Sequence, residues 1–248
     1  MKNFIITAGC FALTCTAVLA DNHEDPEELV QRVYLDYVKT DQHDEFRQVT
    51  REWNACMIEV DADLRWSVYE AHTGNLNRYA FVMAGKPWGW FDRDNAELDD
   101  CYEQFKDRYY ATIDKTFGSF DIILNEHSNH VDDDVDRKIA MVTAFELADR
   151  QAFLENVKKY TEASRENEWK EPYYFYASLG GADASGIYVV SPVASFADFD
   201  GDNGFWDMLK EHFGEEEFEK MRAQDRESII SYSTDIWVRA AELSHTGE

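Results

Sequence analysis

An internal duplication constrains the fold of this chain more than any other feature of its sequence. Residues 66–95 follow the pattern of a strand, a turn, a second strand and an acidic turn, and residues 174–203 repeat that pattern about 108 positions later. With 248 residues, the chain has room for two units of the usual domain size. The repeat therefore predicts two copies of one folding unit.

The first copy predicts the order strand, helix, strand, strand, helix, strand. Apolar and polar residues alternate over 33–38, as they do in a half-buried strand. A helix follows, with Asp41 and Asp44 as candidate N-caps, and its apolar residues recur at helical spacing from Phe46 to Val60. A second helix and a closing strand complete the copy after the central strand pair.

The second copy repeats this order after an acidic linker. A strand over 139–144 precedes a helix for which Asp149 is the predicted N-cap, and a strand over 233–238 closes the copy. About six extra residues lie near Gly214. We expect this insertion to lengthen or interrupt the second helix.

This order of elements predicts the α+β class, with two tandem ferredoxin-like (βαββαβ) repeats. Such a repeat has four antiparallel strands and carries both helices on one face. We expect Tyr34 and Val38 on the bare face of the first sheet, with comparable apolar residues in the second. The two repeats are therefore expected to pack sheet to sheet as an intramolecular α+β barrel.

In the order of its predicted elements and in their duplication, the chain resembles the dimeric α+β-barrel superfamily. Its members include the antibiotic-biosynthesis monooxygenases, NIPSNAP-like and EthD-like proteins and, as fused repeats, the chlorite dismutase group. The resemblance covers nearly all of the predicted mature chain and implies oxygenase or haem chemistry as functions to be considered. It is a likeness of fold.

The N-terminus has the pattern of a secretory signal. Lys2 precedes an apolar run that ends in small residues at Ala20. An uncleaved anchor is the alternative, but the run is shorter than the roughly 20 apolar residues of a membrane span. We expect a soluble, periplasmic or secreted protein. The predicted segments are a signal peptide (1–20), an acidic flexible lead-in (21–31), repeat 1 (32–130), an acidic linker (131–137) and repeat 2 (138–244).

The formal net charge of −26 excludes several partners. Nucleic acid and anionic lipid would both be repelled by such a surface. A hydrophobic content of 44% is enough for a packed core, so the acidity does not indicate disorder. Cations or basic partners remain as alternatives.

Two cysteines, Cys56 and Cys101, remain after the predicted cleavage. In an oxidising compartment such a pair forms a disulfide, and the alternative is a pair of buried thiols. The resemblance implies antiparallel helices in each repeat, which would place both cysteines at the same end of repeat 1. A bridge would close a loop of about 45 residues.

Three acidic residues, Asp198, Asp200 and Asp202, match the start of a calcium-binding loop. The match then fails, because Asn203 stands where the loop requires glycine and Leu209 where it requires a bidentate glutamate. Helix capping explains the turn without a metal ion. We therefore expect no metal here and no bound cofactor.

Histidines are the residues through which haem-binding relatives would act. The resemblance implies one axial histidine for such a relative. His72, His127 and His130 lie beside loop-forming residues and show no shared metal-binding spacing. Solvated surface histidine is the simpler interpretation of all three.

Aromatic residues cluster in the first repeat around one strand pair and its exit loop. The resemblance implies a ligand pocket between sheet and helices, where a flat organic molecule stacks and a group such as Arg78 or His72 orients it. Plain core packing is the alternative. The candidate ligand-binding residues are Trp66, His72, Arg78, Tyr79, Phe81, Trp88 and Trp90.

No complete catalytic motif is present in the sequence, and Gly-x-Ser-x-Gly in particular is absent. The first functional hypothesis is therefore an exported protein, monomeric or homodimeric, that binds a small aromatic molecule. The resemblance implies a second, a cofactor-free oxygenase or a haem-dependent enzyme. An oligomeric interaction module is the third.

Overall fold

The computed structural model describes residues 29–60, 62, 64–83, 85–93, 96–181 and 186–246. The predicted signal peptide and residues 21–28 of the predicted lead-in lie outside them. The strands are β1 (Leu29–Val38), β2 (Trp66–Ala71), β3 (Arg78–Met83), β4 (Lys86–Pro87), β5 (Ile113–Ile123), β6 (Ile139–Leu147), β7 (Tyr174–Ser178), β8 (Ile187–Val193) and β9 (Ile229–Arg239). The helices are α1 (His43–Glu59), α2 (Ala96–Thr112), α3 (Arg150–Glu166), α4 (Phe205–Phe213) and α5 (Glu215–Ser228).

Eight of the described strands close into one antiparallel barrel, which confirms the α+β class. The order around the barrel is β3, β2, β9, β6, β8, β7, β5, β1 and back to β3, and β4 adds to the end of β1. Residues 29–123 contribute one run of four strands and residues 139–239 the other. We call these the first and second halves.

The strand order is the same within each half. The first half has β5–β1–β3–β2 and the second has β9–β6–β8–β7. Two antiparallel pairings join the halves, β2 with β9 and β5 with β7. The edges of the two sheets are thus hydrogen-bonded to each other, whereas the sequence had suggested contact between their faces alone.

The predicted orientation of β1 was wrong. Val38 faces the helices, where it joins a core cluster with Phe46 and Tyr109, and Tyr34 is 41% exposed on the same outer side. The barrel interior receives Val33 and Leu35 instead. Strands of a barrel bury both faces, so alternation alone does not indicate which face is inner.

Of the predicted helix N-caps, one is confirmed and two are not. Helix α1 begins after Gln42 without a side-chain cap, so neither Asp41 nor Asp44 acts as predicted. Asp149 does cap α3, because its carboxylate accepts a hydrogen bond of 3.0 Å from the Ala152 amide. β1 begins at Leu29, so residues 29–31 of the predicted lead-in are strand.

The insertion near Gly214 interrupts the second helix of its half, as expected. Gly214, with φ of 78°, ends α4 and begins α5. Glycine adopts this left-handed φ without the clash that a Cβ would cause. Three glutamates in the first turn of α5 favour a helix start there, since they lie at the positive end of the helix dipole.

A disulfide joins the two helices of the first half. Cys56 of α1 and Cys101 of α2 are bonded, with their Cα atoms 5.9 Å apart. Cys101 is completely buried, and Met57 and Ala62 pack with it. No helix among the described residues is both long and apolar enough to cross a membrane.

Candidate functional site

A cavity of about 530 Å³ lies between the strands of the second half and its three helices. We call it the helix–sheet pocket. Its size is typical of small-molecule sites. Strands β6, β7, β8 and β9 form its floor, and α3, α4 and α5 form its walls. Its lining includes Phe145, Phe153, Phe175, Tyr160, Phe205, Trp206, Arg222 and Asp225.

Alternation along the strands places apolar side chains on the pocket floor. Phe145 of β6 and Phe175 of β7 lie with their ring planes 14° apart and their centroids 6.4 Å apart. Phe153 of α3 approaches Phe145 to 4.9 Å between centroids. The floor therefore presents flat apolar surfaces, which suit the stacking of a planar molecule.

A row of aromatic rings forms the wall opposite. Trp206 of α4 contacts Phe205 and Tyr160 edge to face, with centroids 5.2 and 5.9 Å apart. Trp169 extends the row, at 5.5 Å from Phe205. Trp206 is 42% exposed, which leaves much of its ring accessible.

The polar groups of the pocket gather around a buried carboxylate. Asp225 is 5% exposed and accepts hydrogen bonds from the Tyr160 hydroxyl at 2.7 Å and from Asn156 Nδ2 at 2.9 Å. Arg222 Nη1 lies 3.4 Å from the same carboxylate. Burial, and then the hydrogen bond to Asp225, raise the pKa of Tyr160 well above its usual value. The hydroxyl is thus a fixed donor to Asp225.

Arg222 is the cation of this group. Its guanidinium carbon lies 4.0 Å above the Trp206 ring, within the range of a cation–π contact. Its weak bond to Asp225 engages only one of five N–H donors. The arrangement can therefore hold a flat aromatic molecule and donate hydrogen bonds to an oxygen on its edge.

Packing among the helices explains why the space over the sheet is open. Leu209 of α4 and Met221 of α5 are buried against Tyr160 and Ala163 of α3, and this cluster contains only helix residues. The interrupted helix thus directs Leu209, Phe218 and Met221 toward the neighbouring helices. Its Phe205 and Trp206 line the pocket and leave the space between them and the strands open.

The seven predicted ligand-binding residues do not share one cavity. Tyr79 and Phe81 pack with Phe46 in the core between the first sheet and its helices. Trp66 borders the same core and donates from Nε1 to the Leu243 carbonyl at 3.3 Å. Their side chains line neither the helix–sheet pocket nor the barrel interior.

Two of the seven flank the turn between β2 and β3, beside β9. Arg78 pairs with Asp235 at 2.9 Å and donates to the Thr73 carbonyl at 3.0 Å. His72 is exposed, and its ring centroid is 5.8 Å from that of Phe196. Arg78 is thus engaged in holding a turn.

The other two lie in a short 3-10 helix after β4. Trp88 is 43% exposed and contacts Phe120 at 5.1 Å, while Trp90 is buried and contacts Phe91. This segment is separate from the first-half core. The aromatic cluster predicted from the sequence is therefore divided among three places.

The acidic metal candidates act as local caps. Asp198 accepts hydrogen bonds from the Ala194 and Ser195 amides, at 3.0 and 2.9 Å. Asp202 accepts one from the Gly204 amide at 2.9 Å, and Asp200 is exposed. Within the described parts of the chain, no three His, Cys, Asp or Glu side chains converge on one point that could hold a metal ion.

The pocket does not fit haem. Haem iron is most often held by histidine or cysteine, and neither residue lines the pocket in the part of the chain that the structure describes. His127 and His130 lie outside the pocket, and burial lowers the pKa of each.

Sequence reasoning missed Tyr160, Arg222 and Asp225. Arg222 and Asp225 are three positions apart on a strongly charged helix, a spacing that usually indicates a surface pair. The available signal was the insertion at Gly214, which marked the second copy as the one whose helix layer differs.

No protein-family model and no curated protein matches this chain. Solved structures do match its fold. A proposed monooxygenase from Lactobacillus acidophilus NCFM is 11% identical, with a TM-score of 0.53, over 86% of this chain and 94% of that one. An anthrone oxidase-like protein is 12% identical, with a TM-score of 0.50, over 89% and 94%.

A third structure belongs to chlorite dismutase. A single-residue variant of the enzyme from Candidatus Nitrospira defluvii, in complex with cyanide, is 11% identical, with a TM-score of 0.50, over 88% of this chain and 93% of that one. At these identities the likeness concerns the fold alone. It supports the α+β barrel and does not indicate which chemistry the pocket performs.

Proposed function

We propose that the helix–sheet pocket binds a planar aromatic molecule that carries a hydrogen-bond-accepting oxygen, such as a ketone or a phenolate. One observation carries this proposal. In the second half, the layer between sheet and helices holds a cavity beside the small core cluster of Phe153, Val157 and Phe175, whereas Phe46, Tyr79 and Tyr109 fill it in the first. Natural cores are close-packed, so an open aromatic layer indicates a binding site.

The lining selects the shape of this ligand. Phe145 and Phe175 form the floor and Trp206 the wall, so a planar ring system would contact aromatic side chains on both sides. Arg222 would donate to the ligand's oxygen. A hydrogen bond from a charged donor contributes about 1.5–3 kcal/mol, enough to orient the ring.

The second candidate function is that of a cofactor-free oxygenase. The names of two structural neighbours, a proposed monooxygenase and an anthrone oxidase-like protein, favour it. Arg222 would hold the substrate oxygen, and the aromatic walls would exclude water from the ring. Asp225 would keep Arg222 and Tyr160 in place.

We also propose that the chain arose by duplication and is exported. Residues 32–130 and 138–244 would be tandem ferredoxin-like repeats that arose by duplication, and the identical strand order of the two halves supports this. A signal peptide over 1–20 would direct export. The disulfide between Cys56 and Cys101 is typical of proteins in oxidising compartments.

Binding is tested with two probes of matched shape, 2-acetylnaphthalene and 2-ethylnaphthalene, by isothermal titration calorimetry. The ketone should bind about tenfold more tightly, because only it accepts a hydrogen bond from Arg222. Arg222→Met should abolish that difference. Arg226→Met, an exposed site on the same helix, should preserve it. Equal affinities in the unmodified protein would refute the proposed role of Arg222.

Oxygenase activity is tested separately with an oxygen electrode and anthrone as substrate. Oxygen uptake above the spontaneous rate, lost in Arg222→Met and kept in Arg226→Met, is the result expected of an enzyme. If the ketone probe binds but anthrone causes no oxygen uptake, the binding function is supported and anthrone oxidation is rejected.

A further inference from the structure

The interior of the barrel holds a second cavity, of about 440 Å³. It is separated from the helix–sheet pocket by the strands of the second half. Inward-facing side chains of alternate positions line it, and they are mostly apolar. They include Val33, Leu35, Val82, Val142, Val190 and Trp237.

One acidic group stands in this apolar lining. Asp121 of β5 is 2% exposed. Its Oδ2 accepts hydrogen bonds from the Tyr188 hydroxyl at 2.8 Å and the Ser119 hydroxyl at 3.1 Å. Its Oδ1 is buried and accepts no hydrogen bond within 3.5 Å from any described residue. A buried acceptor without a donor is unfavourable by about 1–3 kcal/mol, so Oδ1 is a site at which a ligand donor would be stabilised.

The surroundings of Asp121 suit a positive donor. Tyr188 and Tyr176 stack beside it, with centroids 5.1 Å apart and ring planes 14° apart. Aromatic faces next to a carboxylate are a common setting for organic ammonium groups. Arg137 also lines the cavity, but its charge is matched by Asp133, with which it makes hydrogen bonds of 2.5 and 2.7 Å.

The charge of the whole chain acts in the same direction. A net charge of −26 raises the local concentration of cations and lowers that of anions. Burial raises the pKa of Asp121, while hydrogen bonds from Tyr188 and Ser119, the nearby Ser178 hydroxyl and the charge of Arg32 oppose that rise. A ligand ammonium would offset the cost of burying the carboxylate charge.

We propose that the barrel interior is a binding site for an apolar primary amine. The ammonium group donates to Asp121 Oδ1 and lies beside Tyr176 and Tyr188, and the hydrocarbon part extends along the valine and leucine side chains of the interior. This site is independent of the helix–sheet pocket, because it uses the opposite face of the strands.

Isothermal titration calorimetry of the purified full chain tests this with three probes of similar length, octylamine, 1-octanol and octanoate. Octylamine should bind most tightly, 1-octanol more weakly, and octanoate not measurably. Asp121→Asn should weaken octylamine binding at least tenfold. Asp114→Asn, which removes the same charge from an exposed position of the same strand, should leave it unchanged.

A second variant checks the location without altering the carboxylate. Val142→Phe fills the interior and should abolish octylamine binding, while 2-acetylnaphthalene binding in the helix–sheet pocket is retained. Circular dichroism and the melting temperature report whether each variant is folded. The proposal would be overturned if octanoate or 1-octanol bound as tightly as octylamine, or if octylamine did not bind at all. It would also be overturned if the folded variants Asp121→Asn and Val142→Phe bound octylamine with full affinity.

Discussion

The two halves have the same strand order but differ in the layer between strands and helices. In the first half, Phe46 of α1 lies against Tyr79 and Tyr109, with centroids 4.6 and 5.5 Å away. In the second half, the corresponding layer contains the helix–sheet pocket. The same architecture therefore supports a solid core in one half and a cavity in the other.

One position shows how this difference arises. Tyr109 lies one turn before the end of α2, and Asp225 occupies the corresponding position, one turn before the end of α5. Tyr109 fills its layer with a ring and donates its hydroxyl to Asp36. Asp225 has no ring and instead accepts from Tyr160. Replacing a ring by a carboxylate removes volume and introduces charge.

The largest expected effect is a loss of stability when a large side chain in each layer is replaced by alanine. Phe46→Ala should lower the free energy of unfolding by about 3–5 kcal/mol, since the ring is completely buried. Phe153→Ala should cost less, because this ring, although buried, borders the cavity on one side. Urea unfolding measures both. Equal losses would indicate that the second layer is as solid as the first.

The disulfide gives the next effect. The double variant Cys56→Ala, Cys101→Ala should lose about 3–4 kcal/mol of stability, because the bridge closes a loop of about 45 residues in the unfolded chain. Residues 138–248 contain no cysteine, so the helices of the second half have no such link. Ile58→Ala, at a site 64% exposed on α1, is the control and should change the unfolding midpoint little.

Two equally exposed tryptophans provide a smaller effect, on binding. Trp206→Leu should weaken 2-acetylnaphthalene binding about tenfold, since its ring forms the pocket wall. Trp88→Leu removes an indole of similar exposure, 43% against 42%, from the first half. Calorimetry should show no change for that variant. A loss of affinity in Trp88→Leu would move the binding site to the first half.

The smallest effect concerns pH. Burial raises the native pKa of Asp121, so the native state binds this proton more tightly than the unfolded chain does. Stability therefore falls as pH rises from the ordinary aspartate pKa of 3.8 through the raised native value. Arg32, Tyr176 and Tyr188 are the ionisable groups that interact with it.

Asp121→Asn removes this titration. The variant should melt at a slightly higher temperature than the unmodified protein near neutral pH, and the gain should disappear toward pH 3. Differential scanning calorimetry across that range measures it. A gain that grows as the pH falls would contradict the assigned sign.

Much of the fold was predictable because the signals are local. Alternation located the strands, the duplication gave their order, and Gly214 marked the broken helix. The inner face of β1 was not predictable. Asp36 shares the face of Tyr34 and Val38, which was expected to meet the other sheet. It is instead buried on the helix side, where Tyr109, a residue distant in sequence, donates a hydrogen bond to it.

The site was less predictable than the fold. Aromatic residues of the first half were expected to line one pocket, but they are divided among three places, and Tyr79 and Phe81 lie in a filled core. Sequence alone does not distinguish a filled layer from an open one. Tyr160 and Asp225 are 65 positions apart, so only the tertiary structure brings them together.

A pair of matched substitutions tests most directly whether the second layer is a pocket and the first a solid core. Val49 of α1 and Val157 of α3 are both buried in the layers being compared. In urea unfolding, Val49→Phe should lose about 1–3 kcal/mol through overpacking, whereas Val157→Phe should remain close to the unmodified protein while losing 2-acetylnaphthalene binding. Equal destabilisation by the two substitutions would contradict the proposed difference between the halves.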